Sequence, residues 1–164
     1  VQNQKHKPDH DDHVTHTNFD LSMVSVELPF EAALPSSYIS DRDLRMRLYR
    51  RMAELENEQK VDEMAAELND RFGAVPTAVQ NLLFQLRIKL RAHRAQIEII
   101  STERKMISLR SQSWETEGMR EKLLAVLPSD VHVSRDRVWL PLTGRSQEWQ
   151  QRLLKLLAAL AELD

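Results

Sequence analysis

One change of hydrophobic period governs what this chain can fold into. Apolar residues recur at helical spacing as far as about residue 96, and at every second position in two blocks thereafter. Leu44, Leu48, Met52 and Leu55 form the first helical stripe, and the S-x-x-D spacing of Ser40 and Asp43 predicts where that helix starts. A second helix is predicted over 60–72, burying Val61, Met64, Leu68 and Phe72. Gly73 stands where a left-handed C-cap is wanted, and Pro76 suits the first turn of a third helix. That helix carries Val79, Leu82, Leu83, Leu86 and Leu90 and is expected to end near Gln96. Ahead of all three, Val24, Val26 and Leu28 alternate with Ser25 and Glu27 and predict a strand, which Pro29 and Pro35 prevent from continuing as a central one.

Beyond residue 96 the alternating blocks predict hairpins. Ile97 and Ile99, then Ile107 and Leu109, give one over 97–110. A short helix over 115–127 is stopped by Pro128. Val131 and Val133, then Val138, Leu140 and Leu142, give a second hairpin turning at Arg135-Asp136. Ser146 is the expected N-cap of a last helix that buries Trp149, Leu153, Leu156, Leu157 and Leu160. The order strand, three helices, hairpin, helix, hairpin, helix is that of an α+β fold, a small antiparallel sheet with packed helices. The expected organisation is a flexible arm over 1–21 and one domain over 22–164. The arm holds His6, His10, His13 and His16, and imidazoles at such spacing suit zinc or nickel. Without rigid supporting groups they read as a solvated linker, so no metal site is assigned.

Several function classes are closed to this chain. Gly73, Gly118 and Gly144 are its three glycines, too far apart for any phosphate-cradling loop. The absence of cysteine removes disulfides, thiolate metal sites and cysteine nucleophiles. No apolar run approaches the ~20 residues that span a bilayer. The net charge of −2 means that a nucleic-acid role would need a local basic patch. No G-x-S-x-G or H-E-x-x-H arrangement exists, His93 reads as a partner of a helix dipole, and His132 faces outward on its strand. The expectation is a domain without catalytic residues and without a cofactor of its own.

Two charged stripes remain. Glu63, Glu67 and Asp70 fall at i, i+4 and i+7 of the second helix, an acidic surface on which a basic partner can dock. The third helix has no acid, and Arg87, Lys89, Arg91 and Arg94 can meet phosphates, an anionic partner or the acidic neighbouring helix. No aromatic residue lies among these cations to stack on a base, so accessory nucleic-acid binding is the alternative reading.

The segments ELPFEAALPSSYISD (27–41), RMRLYRRM (45–52) and ELNDRFGAVP (67–76) stand in an order and at separations that identify a family. They resemble the C-terminal domain of bacterial transcription-repair coupling factors over about residues 26–100. Met46 and Arg50 depart from that family's usual Leu and Lys. The resemblance implies a full-length cytoplasmic, ATP-driven DNA translocase that displaces stalled RNA polymerase and recruits nucleotide-excision repair. Its motor modules, with their ATP and magnesium, would lie upstream of Val1. The resemblance further implies that this domain is autoinhibitory. It would dock on an N-terminal module similar to excinuclease subunit UvrB, mask the surface recognised by UvrA and restrain the motor. The family's docking acids map onto Glu67 and Asp70.

Overall fold

The structure, a computed structural model, describes residues 20–163. Its helices are α1 (Arg42–Ala53), α2 (Glu58–Phe72), α3 (Thr77–Arg94), α4 (Met119–Val126) and α5 (Ser146–Ala161). Its strands are β1 (Ser25–Val26), β2 (Ile99–Glu103), β3 (Met106–Arg110), β4 (His132–Val133) and β5 (Arg137–Pro141). They form one sheet in the order β1-β2-β3-β5-β4, with β1 parallel to β2 and every other pair antiparallel. The fold is α+β, as the order of periods predicts, but the sheet is mixed and not wholly antiparallel, because the helices α1–α3 connect β1 to β2 and return the chain in the same direction.

Two apolar clusters share α3. Val79, Leu82, Leu83, Leu86 and Leu90 pack with Leu48 and Met52 of α1 and with Val61, Met64 and Leu68 of α2. Ile88 and Ala92 pack instead with the sheet and with Trp149, Leu153 and Leu157 of α5. A helix apolar on two sides belongs between two layers, which makes α3 the common wall of both cores. Phe30, Phe84 and Trp149 meet beside it, with ring centroids 6.0–6.3 Å apart.

Boundaries depart from the sequence reading where a local hydrogen bond is better satisfied elsewhere. Asp41, not the Ser40–Asp43 pair, caps α1 by accepting from the Leu44 amide at 3.1 Å. α2 begins at Glu58 because Asn57 accepts from the Lys60 amide at 2.9 Å. Pro76 is the N-cap of α3 rather than its first turn, its carbonyl accepting from Val79 and Gln80. Gly73 has a positive φ of 88°, but with ψ at −168° it leads the chain out extended and not left-handed. The helix expected over 115–127 is a 3-10 turn (Gln112–Glu115), a left-handed Gly118 and then α4.

Ser146 does not cap α5. Arg145 is the N-cap, and the Glu148 carboxylate folds back to accept the Arg145 amide at 3.2 Å. A Cβ on Gly144 would displace that carboxylate from its cap position, and a φ of +77° favours glycine there.

Two burial assignments also change. Ile99 is 36% exposed, whereas Ile97 and Ile100 are buried. Ile97 belongs to the exit of α3, its amide bonded to the Ala92 carbonyl at 2.8 Å, and the ladder starts only at Ile99 opposite Arg110. Leu21, assigned to the arm, is buried in the helical core. The predicted strand over Val24–Leu28 shortens to β1, while Val24 and Leu28 are buried as the alternation requires. His6, His10, His13 and His16 lie outside the described residues.

Candidate functional site

α2 is fixed by its inward stripe, with Val61, Met64 and Leu68 at 0–2% exposure. That leaves Glu63, Glu67 and Asp70 turned away from the core, but in three different electrostatic states. Glu63 is paired at 3.0 Å with Lys60, one turn earlier, both side chains more than half exposed. Glu67 receives a bidentate pair from Arg51 of α1, at 2.9 and 2.7 Å, and a third bond from Arg71 at 2.7 Å. These bonds hold its carboxyl at about 2, well below the ordinary 4.5, and raise Arg51 in turn. With three of roughly four acceptor positions used, Glu67 has little capacity left for a new cation. Asp70 is exposed and makes no ion pair or side-chain hydrogen bond among the described residues.

The acidic row thus consists of one neutralised carboxylate flanked by an exposed pair and one open acid. Arg51 was missed because it comes from another helix. Arg71 was within reach of sequence reasoning, since Glu followed by Arg at i, i+4 is a favourable helical pair.

The residues after Asp70 are structural. The Arg71 guanidinium lies 5.0 Å from the Phe72 ring centroid, and Phe72 meets Tyr38 edge to face at 6.0 Å. The Tyr38 hydroxyl is 2.9 Å from the Leu68 carbonyl and 2.8 Å from that of Gly73, one proton between two acceptors. Burial pushes this hydroxyl above its usual titration range. The end of α2 is thus clamped, and Asp70 projects from a rigid terminus.

The basic residues of α3 are largely spent inside the molecule. Arg87 pairs with Asp62 of α2, and Arg91 reaches Glu58 at 3.1 Å and the Leu154 carbonyl at 3.3 Å. Lys89 is partly buried and its ammonium is lowered by desolvation, with Asp20 opposing that shift. Arg94 alone of the four is exposed without a bond among the described residues. Of the three ligands considered for this helix, the acidic neighbouring helix is the one the structure supplies.

On the other side of the molecule, His132 points outward and lines a concavity of about 720 Å³ with Glu103, Arg104, Met106 and Trp139. Among the described residues, no three His, Asp or Glu side chains are grouped to hold a metal ion. No described helix is long and apolar enough to cross a membrane.

Comparison with known proteins gives a consistent result. The family model of the TRCF domain matches residues 28–121. The transcription-repair-coupling factor of Staphylococcus haemolyticus is 28% identical over 147 residues, covering 86% of this chain and 12% of that protein. That of Rickettsia prowazekii is 39% identical over 74 residues, 45% of this chain and 7% of the relative. This chain therefore spans about an eighth or less of the curated relatives it matches. A crystal structure of the C-terminal domain of transcription-repair coupling factor superposes with a TM-score of 0.71 at 22% identity, covering 85% of this chain and 92% of that one.

Proposed function

The chain belongs to the TRCF domain family, and from that premise we propose that it is a non-catalytic, autoinhibitory docking domain of a bacterial transcription-repair coupling factor. The parent would be a cytoplasmic, ATP-driven DNA translocase that displaces stalled RNA polymerase and recruits excision repair. At rest, this domain would cover the UvrA-binding surface of the N-terminal UvrB-like module and restrain the motor.

The observation that carries the reading is Asp70. It is an open carboxylate at a clamped helix end, inside the ELNDRFG segment and inside the matched span. Glu63 supports it, because an exposed Lys pair at i, i+3 is weak enough to be exchanged for a partner's arginine. Glu67 has a different role from the one its motif position suggests. Arg51 ties it to α1 and Arg71 braces it within α2, and it contributes to docking by keeping the surface rigid. Arg–carboxylate pairs at such a surface are worth roughly 0.5–2 kcal/mol each. A few of them make a latch that a competing binding event can open.

The test mixes this chain with the isolated UvrB-like module and follows association by calorimetry or anisotropy. Asp70→Lys with Glu63→Lys is expected to weaken binding about tenfold or more, and the unmodified chain is expected to displace UvrA from the module. Association that survives both charge reversals unchanged refutes the latch.

A further inference from the structure

The helices pack on one side of the sheet. Ile100, Ile107, Leu109, Val138 and Leu140 face the helices and are buried to 0–1% exposure. The alternate positions form the other face. In one register row His132, Trp139, Ser108 and Ser101 lie side by side, Ser108 buried among its neighbours, and in the next are Arg137, Arg110 and Ile99. Trp139 and Met106 belong to neither core. Every other aromatic side chain among the described residues is buried in or packed against one of the two cores, and Trp139 is not.

The chemistry around Trp139 is sorted. The Arg137 guanidinium lies 5.8 Å from its ring centroid, and Arg137 does not line the concavity, which opens on the side bounded by Met106, His132, Glu103 and Arg104. Arg104 and Lys105 form the β2–β3 turn, both exposed, and neither makes an ion pair among the described residues. A slot walled by an indole, with a carboxylate acceptor inside and unpaired cations at its lip, complements a nucleotide. The base has a π-face for Trp139 and amine donors for Glu103, and its phosphates belong with the cations and away from the acid. A paired base in a duplex presents no free face, so the match is to a single strand.

We propose that the open sheet face binds single-stranded nucleic acid, one base stacked on Trp139 within the concavity and the flanking phosphates on Arg104 and Lys105. This surface is separate from α2, so the proposal stands or falls independently of the docking reading.

Trp114 and Trp149 are buried, which makes quenching at Trp139 a direct readout in the whole chain. A single-stranded deoxycytidine dodecamer at low salt is expected to quench the fluorescence, and added salt to weaken binding. Anisotropy of the labelled dodecamer should show an affinity loss of about tenfold or more for Trp139→Ala, while Trp139→Phe retains most of it. Arg104→Gln with Lys105→Gln should weaken binding and flatten its salt dependence. A flat titration, or wild-type affinity in Trp139→Ala, overturns the proposal. So does equal affinity for a duplex of the same length, which would mean attraction by charge alone. Tighter binding of a polyglutamate peptide than of the dodecamer overturns it as well, and would assign the face to an acidic protein.

Discussion

Replacing Glu67 by Gln tests whether the seam between α1 and α2 is electrostatic. The variant keeps the shape of the side chain but removes the charge that Arg51 and Arg71 share. A carboxyl lowered from 4.5 to about 2 corresponds to at most about 3 kcal/mol. The side chains of Arg51 and Arg71 are 51% and 45% exposed, so solvent screens most of this, and about 1 kcal/mol is the figure to expect. For a domain of this size the slope in urea is about 2 kcal/mol/M, which places the midpoint of Glu67→Gln about 0.5 M below that of the unmodified chain at pH 7. The folded-state value is depressed, so the stabilisation is fully present above about pH 4.5. It is lost as pH falls through about 2. The two urea midpoints should therefore converge as acid is added below pH 4.5. Equal midpoints at pH 7, or a gap that persists unchanged to pH 2, would show that the three hydrogen bonds do not stabilise the fold.

Four other substitutions address different links in the structure. Gly144→Ala places a methyl group where the Glu148 carboxylate sits, at a φ of +77°, and should lower thermal stability by about 1–2 kcal/mol through loss of the α5 cap. Glu148→Ala should remove part of that penalty from the double variant, because the clash then has no partner. Ile88→Ala empties a fully buried position on α3 beside the sheet and should cost about 2–4 kcal/mol by urea unfolding. Tyr49→Phe leaves the Leu34 amide without the hydroxyl that accepts it at 2.7 Å, a loss of about 1 kcal/mol on the same assay.

The layout of the fold was legible because its apolar stripes are long and regularly spaced. Trp149, Leu153, Leu156, Leu157 and Leu160 are the buried residues of α5, as their spacing predicts, and α2 buries Val61, Met64 and Leu68. The reading failed where one residue leaves an element before the next has begun. Ile97 and Ile99 alternate on paper, but Gln96 turns the chain through a positive φ of 59° and Ile97 is tucked beneath α3 before the ladder starts. Caps failed for a related reason. Ser40 and Asp41 carry equivalent capping chemistry, and the extended backbone of Asp41, with φ −72° and ψ 114°, makes it the cap two residues after the buried Ile39.

Charge was the least legible property, and the site shows why. An apolar stripe is a statement about one helix, because every neighbour offers it much the same apolar surface. A charged stripe has no meaning until the opposing helix is known. Arg51 lies sixteen residues before Glu67, and Asp62 and Glu58 lie twenty-five and thirty-three residues before Arg87 and Arg91. Read one helix at a time, α2 is an acidic surface for a basic partner and α3 a basic surface for an acidic one. The α2 stripe is met by Lys60 and Arg71 of α2 itself and by Arg51 of α1, whereas Arg87 and Arg91 of α3 pair with Asp62 and Glu58, outside that stripe. What that cancellation leaves over on these helices is Asp70 and the exchangeable Glu63 of α2 and Arg94 of α3. Asp70 is left over because neither α1 nor α3 brings a cation to the end of α2, and for that reason the docking proposal rests on it.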